Sequence, residues 1–399
     1  MKYIIITSIS FLILINLSCK DKGVDPQDNY PPGYQHDIPW PSLADSPWPI
    51  NHGDPQSTGR SKFIGPRLGI LDKIVATPEL QTGIVIGPDS TIYFTSSDFN
   101  SAVAGLYAYY PDGRLKWKFN TMHCWATPIV VKDGTIYFRD AFKVYAVNPD
   151  GALKWVYDIG GTGGAAVRSL TIGKDGTIYF LNFNFNLNAL NPDGTKKWSL
   201  NDTRFPVNFL NDLVFSPDGK TIYTAGYSDA VVAVDVIEKK IKWTFGKTVA
   251  TFAPIVDCNG NLYFNAKTDN GEIYFYSLRE DGTVRWRFLT NSEIDYGATI
   301  DKNGNIYFAS DTLYSLDYNG NLRWELPLDS YIDCALVCDA EGTIYFGDGL
   351  RVTAINNSGN VLWKVKIPNY GGGFSTSPAL REGILYVPSN NLKDFFIIK

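Results

Sequence analysis

Apolar residues in this chain fall in short β-branched and aromatic runs separated by Gly, Asn and Asp, and no long segment spaces them as a helix would. One run recurs: TIYF at Thr91, Thr135, Thr177 and Thr343, with TIYT at Thr221, NLYF at Asn261, NIYF at Asn305 and ILYV at Ile384. Its tyrosines, Tyr93, Tyr137, Tyr179, Tyr223, Tyr263, Tyr307, Tyr345 and Tyr386, return about every 42 residues, the period of a propeller blade. Three further runs keep a fixed order around it. A run of small and β-branched residues comes before, as in PIVVKDG at Pro128; one such as LYAYY at Leu106 comes after; a fourth ends in tryptophan. Four short strands per repeat make a blade, so the pattern predicts an all-β, eight-bladed β-propeller of four-stranded antiparallel blades.

The separators have a local cause. Asp133-Gly134, Asp175-Gly176, Asp218-Gly219, Asn259-Gly260 and Asn303-Gly304 suit tight hairpins between strands one and two, because Gly and Asn tolerate positive φ. DKNGN at Asp301 resembles part of a calcium loop, but the further spaced oxygens and terminal glutamate of that loop are missing, so turn chemistry is the expectation. Seven of the ten tryptophans close a blade: Trp117, Trp155, Trp198, Trp243, Trp286, Trp324 and Trp363. One per repeat, among apolar neighbours, they are expected to wedge between adjacent sheets.

The two ends of the array complement each other. The last repeat runs from Ile384 to a strand at Phe395–Ile398 and stops before any tryptophan strand. Arg67–Val75, with Leu68, Ile70, Leu71 and Ile74 as its apolar residues, precedes the first repeat where a fourth strand would stand. The N-terminal strand should therefore pair into the last blade and remove both free edges.

Composition adds exclusions. A closed ring makes the 399 residues one folded domain, since no blade buries its faces alone. A net charge of −5 without a Lys/Arg cluster excludes a nucleic-acid footprint. The first nineteen residues stand outside the repeats: Lys2, an apolar run from Tyr3 to Leu17, then Leu17-Ser18-Cys19. They resemble a bacterial lipoprotein signal, although Asn16 replaces the usual aliphatic residue, and imply lipidation of Cys19 and a lipid anchor in the bacterial cell envelope. The expected organisation is a signal at 1–19, a proline-rich tether at 20–47 and the propeller at 48–399.

A-x-N-P-D-G-x-x-K-W at Ala146–Trp155 and Ala189–Trp198 resembles the tryptophan-docking repeat of the PQQ-like β-propellers, and SPWPINHGDPQSTGRS at Ser46–Ser61 is similar to the segment that often precedes their first repeat. That superfamily holds quinoprotein alcohol dehydrogenases and also non-catalytic lipoproteins of outer-membrane β-barrel assembly. The dehydrogenase resemblance would imply a vicinal cysteine pair, a tryptophan floor and calcium ligands. No Cys-Cys dipeptide exists here, and most docking repeats are a residue short. Neither a cofactor nor a metal is expected.

Three histidines, His36, His52 and His123, support neither a metal site nor a triad. The glycine runs Gly160–Gly164 and Gly371–Gly373 lack phosphate-loop context. Cys124, Cys258, Cys334 and Cys338 are expected as buried free thiols, a bridge from Cys334 to a neighbouring blade being the alternative. Candidate binding residues lie in the connections from each tryptophan strand to the next blade, which form a funnel: His123, Trp125, Arg168, Arg204, Asp212, Tyr296, Tyr331, Asp333 and Phe374. The expected function is a non-catalytic envelope scaffold that binds a protein or extended peptide; a carbohydrate-binding or hydrolytic propeller is the alternative, and a PQQ-dependent dehydrogenase the third reading.

Overall fold

The computed structural model describes residues 30–399 apart from 81, 97–101, 123, 161–169, 206–211, 226–228, 247–253, 291, 293, 295–296, 331, 333, 369–375 and 390–392. The described residues form eight four-stranded antiparallel sheets. In blade 1 the strands are Val85–Ile86, Ile92–Ser96, Gly105–Tyr109 and Leu115–Asn120, from the inside outward. Blades 2 to 7 repeat that order, beginning at Ile129, Thr171, Val214, Ile255, Thr299 and Val337. Blade 8 takes Ala379–Arg381, Ile384–Pro388 and Asp394–Ile398, and its outer strand is Leu71–Ala76 from the other end of the chain. The seam is thus closed by antiparallel pairing, with Ile74 opposite Phe396 and Ala76 opposite Asp394. Pairing begins one residue before that strand, where Ile70 and Lys399 exchange backbone hydrogen bonds of 2.7 and 2.9 Å, while Leu68 precedes the paired stretch and is exposed.

In blades 1 to 7 the repeated tyrosine packs its ring on the tryptophan of its own blade, as in Tyr307 on Trp324 with centroids 5.8 Å apart, whereas Tyr386 of blade 8 meets Phe395 instead. The tryptophan then reaches the next blade: Trp286 Nε1 donates to Tyr318 O at 3.1 Å. Its ring lies on Gly320, at φ +84°, where a Cβ would approach Trp286 to 2.5 Å. The Asp/Asn-Gly turn therefore serves two ends, positive φ for the hairpin and a flat seat for the preceding blade's indole. Trp363 is buried and the other six are half-buried.

Residues 30–66 form a strap. A first pass runs across the face that carries the strand one–two turns: Gln35 N donates to Lys302 O at 2.8 Å in blade 6, Trp40 Nε1 donates to Ile172 O at 2.8 Å in blade 3, and Leu43 bridges Val131 in blade 2. A second pass follows the axis and visits the inner strands of blades 1, 2, 4, 5, 6 and 7 in ring order, then the strand one–two turn of blade 8. Trp48 O accepts from Ile86 N, Pro49 O from Val130 N, Pro55 O from Phe215 N, Gln56 O from Val256 N, Thr58 O from Ile300 N, Gly59 O from Cys338 N and Ile64 O from Gly383 N. Inner strands have no fifth strand on the axial side, and their buried N–H groups require acceptors. Pro49 and Pro55 provide two of these without adding an N–H that would need its own partner.

From Tyr30 onward, then, the stretch expected to be a free tether is packed against the ring. Composition misleads because docking here depends on backbone acceptors and a few anchors, Trp40, Leu43 and Trp48, all buried, and needs no continuous apolar run.

Candidate functional site

On the turn-bearing face the carboxylates are consumed by the fold. Asp301 accepts from Asn303 N, Asn305 N, Asn305 Nδ2 and the Tyr307 hydroxyl. Asp257 repeats this with Asn259, Asn261 and Tyr263. Burial raises the Asp257 carboxyl above its ordinary range, and those hydrogen bonds oppose the rise. Blades 1 to 3 use a lysine instead: Lys116, Lys154 and Lys197 each lie 2.9 Å from Asp89, Asp133 and Asp175 respectively. Burial would raise Asp175, but Lys197 and Thr177 outweigh it and hold the carboxyl low. The calcium-like DKNGN is accordingly a side-chain-braced turn, and among the described residues no group of three His, Cys, Asp or Glu is placed to hold a metal.

On the same face the strap encloses an axial cavity of about 450 Å³, walled by Pro39, Pro41, Pro49, Pro55, Trp40 and Leu43. Ion pairs between the two passes frame it, Arg60 to Asp37 at 2.9 Å and Lys62 to Asp45 at 3.0 Å. A second cavity of about 590 Å³ lies between blades 2 and 3 and shares Pro41 and Lys132 with the first. Both fall in the size range of ligand pockets.

Where the strap passes toward the opposite face, His52 is buried, with Nδ1 2.7 Å from Ser57 O and Nε2 2.8 Å from Leu336 O. Burial lowers its pKa, against the pull of those carbonyls and of Asp54. Asp54 takes the Gln56 and Thr58 N–H groups and the Thr58 hydroxyl; burial raises its carboxyl. These are the groups that knot the strap.

The opposite face carries the inter-blade connections. Asp212 is tied to the axis, its Oδ2 accepting from Asn51 Nδ2 at 2.9 Å. Arg204 is exposed and forked onto Asp202, Nε to Oδ1 at 2.8 Å and Nη2 to Oδ2 at 2.7 Å. Trp125 is half-buried between the buried Cys124 and Ala126. His123, Arg168, Tyr296, Tyr331, Asp333, Phe374 and the lipidation candidate Cys19 lie outside the described residues. The structure thus places Asp212 with the strap, Arg204 on the rim and Trp125 in the blade 1–2 connection, and does not bring the three into one cluster.

Sequence reasoning missed the strap cavity and Arg139, which is fully buried at the end of the blade 2 TIYF strand. Arg139 Nη1 donates to Leu181 O at 2.6 Å and Nε to Asp140 O at 3.2 Å, while burial pulls its pKa down to about 10. Its signal was available: arginine follows TIYF there, where the other repeats have Thr, Leu, Ala, Asn, Gly or Pro. The four cysteines described are free, Cys258 half-buried and the other three buried. Burial pushes the Cys124 and Cys338 thiols up, which keeps them protonated and inert.

Eight blades, a seam closed by the N-terminal strand and tryptophans docked on the next blade's turn define a PQQ-like β-propeller. The chain belongs to the family described as outer membrane protein assembly factor BamB, which it matches over residues 67–288 and 269–393. No match was found among curated proteins. Similar solved structures include the quinohemoprotein alcohol dehydrogenase of Comamonas testosteroni, at 12% identity and TM-score 0.64, covering 88% of this chain and 80% of that one. BamB from Moraxella catarrhalis aligns at 14% identity and TM-score 0.59, over 83% and 99%. The computationally designed protein Ika8 aligns at 12% and 0.64, over 84% and 99%. At such identities the likeness is one of fold, which enzymes, an assembly factor and a designed protein share.

Proposed function

We propose that this protein is a bacterial envelope scaffold, anchored by a lipid on Cys19, that binds an extended segment of a protein partner on its connection face and performs no chemistry of its own. The observation that supports this reading is the strap: carbonyls of Trp48, Pro49, Pro55, Gln56, Thr58 and Gly59 sit on the inner strands, so the chain's own backbone occupies the axis there and the open axial space is the cavity between the strap's two passes. The family's description as an assembly factor supports a partner of protein nature in the outer membrane. An exposed aromatic platform would favour carbohydrate, but Trp40 in the axial cavity is buried between Phe215, at 5.2 Å, and Lys174, at 5.1 Å.

Two measurements test the proposal. Added PQQ with calcium should leave the melting temperature unchanged and support no dye reduction; either response would return the protein to the dehydrogenases. A photo-crosslinking residue at Arg204 or Trp125 should capture one defined envelope protein in cells, and the same residue at Lys174 on the turn-bearing face should not. Capture from Lys174 alone would move the binding surface to the other side.

A further inference from the structure

We propose that the strap and blade 3 together form a binding site for a single water molecule, which supplies to blade 3 the acceptor that the strap gives directly to six other blades. In blades 1, 2, 4, 5, 6 and 7 the second residue of the inner strand donates its N–H to a strap carbonyl: Ile86, Val130, Phe215, Val256, Ile300 and Cys338. Ile172 holds that position in blade 3, and among the described residues no strap carbonyl meets its N–H. The strap steps from Pro49, on blade 2, to Pro55, on blade 4, so residues 50–54 span blade 3 without a backbone hydrogen bond to its inner strand. The first pass does not replace that acceptor. Trp40 Nε1 and the Ser42 hydroxyl are donors, and they go to the carbonyls of Ile172 and Gly173.

Blade 6 shows the geometry that this position favours. There the Thr58 carbonyl accepts twice, from Ile300 N at 3.3 Å and from the Thr299 hydroxyl at 2.8 Å. Thr171 and Ile172 repeat the same residue pair in blade 3. Thr171 is fully buried, and its hydroxyl has no protein partner. A buried hydroxyl and a buried N–H that converge on one point both require an acceptor there.

A gap of about 20 Å³ lies against Thr171, walled by Asn51, Asp54 and Ser57 of the strap and by Asp212 of the blade 3–4 connection. A water needs about 10–15 Å³, so the gap admits one and excludes a polyatomic ligand. Charge selects among species of that size. An anion would face the carboxylates of Asp54 and Asp212, and a metal cation would face the Ile172 N–H. Water suits both sides: its oxygen accepts from the Thr171 hydroxyl and Ile172 N, and its hydrogens go to the carboxylates. Asp54 has capacity for one, since Gln56 N, Thr58 N and the Thr58 hydroxyl fill three of the roughly four positions a carboxylate offers. Asp212 is held toward the strap by Asn51 Nδ2 at 2.9 Å. Strap, blade 3 and the connection face thus meet at one hydrated point.

A high-resolution crystal structure of the full-length chain, grown in detergent, tests the site directly. A single oxygen peak should lie about 2.7–3.2 Å from both Thr171 Oγ1 and Ile172 N. No peak, a side chain in its place, or a peak ringed by six or more oxygens at about 2.3–2.6 Å, as a bound calcium would be, overturns the proposal. Thermal unfolding adds a reading whose sign decides. Thr171→Val removes the hydroxyl at nearly constant shape, and with water bound it should lower the melting temperature by about 1–3 °C, as Thr299→Val should in blade 6. Were the hydroxyl an orphan, its removal would relieve a buried polar group, so an unchanged or raised melting temperature for Thr171→Val refutes the water. Exchange of sodium for choline in the buffer should leave the difference between wild type and Thr171→Val unchanged. A difference that shrinks in choline would assign the site to a cation and overturn the proposal.

Discussion

The seam depends on one indole, and its removal can be worked through quantitatively. Trp363 in the outer strand of blade 7 is 8% exposed, more buried than its six counterparts. Its Nε1 donates to Pro66 O at 3.0 Å, and its ring lies on Gly69, so it clamps the segment that leads into the closing strand. Trp363→Ala removes a core-sized side chain, a loss of about 3–5 kcal/mol, and orphans the Pro66 carbonyl. Gly69 is at φ +63°, and a Cβ there would lie 2.4 Å from the indole. Gly69→Ala should cost about 1–2 kcal/mol for the left-handed backbone and about as much again for displacing the ring. In the Trp363→Ala background the ring is gone, and only the backbone cost of about 1–2 kcal/mol should remain. Urea unfolding of the wild type, both single variants and the double variant, followed by far-UV circular dichroism, measures the cycle. A loss below about 1 kcal/mol for Trp363→Ala, or strictly additive single effects, would refute the clamp.

Other consequences are as direct. Trp48 is fully buried, yet its indole N–H has no hydrogen-bond partner, so Trp48→Phe should cost less than about 1.5 kcal/mol while Trp48→Ala costs about 3–5; similar losses for both would mean the N–H is satisfied in solution. Burial depresses the His52 pKa, so the unfolded chain binds the extra proton first and stability should fall as pH drops below about 6.5, the unfolded value. Asp54, with its carboxyl raised, acts in the opposite sense as pH falls through its folded value. His52→Asn, which tolerates the positive φ of 56°, should flatten the dependence between pH 7.5 and 5.5; an unchanged slope would assign the effect elsewhere. Arg204→Ala should shift stability by about 0.5 kcal/mol or less, because Arg204 is exposed and its partner Asp202 is only partly buried. A larger loss would indicate that Arg204 braces the connection face.

The ring is legible in the chain because its determinants are local and repeated. A β-branched and aromatic run, an Asp-Gly or Asn-Gly turn and a recurring tryptophan each act within a few residues. Eightfold repetition turns these weak signals into a blade count, and the missing outer strand at one end matches the spare strand at the other. Pairing at the seam begins at Ile70, later than the apolar pattern implies, since exposed Leu68 looks the same in sequence as a paired apolar residue.

The strap and both cavities belong to tertiary structure alone. Pro49 and Pro55 dock through carbonyl oxygens that every residue possesses, against N–H groups of Val130 and Phe215 far along the chain, so no residue type marks the contact. Asp212 is held by Asn51 across 161 positions, a pairing that neither neighbourhood encodes. Side-chain pattern determines which segments become strands and where they turn. Which backbone acceptor meets which buried donor on the axis is decided only when the ring closes and brings them together.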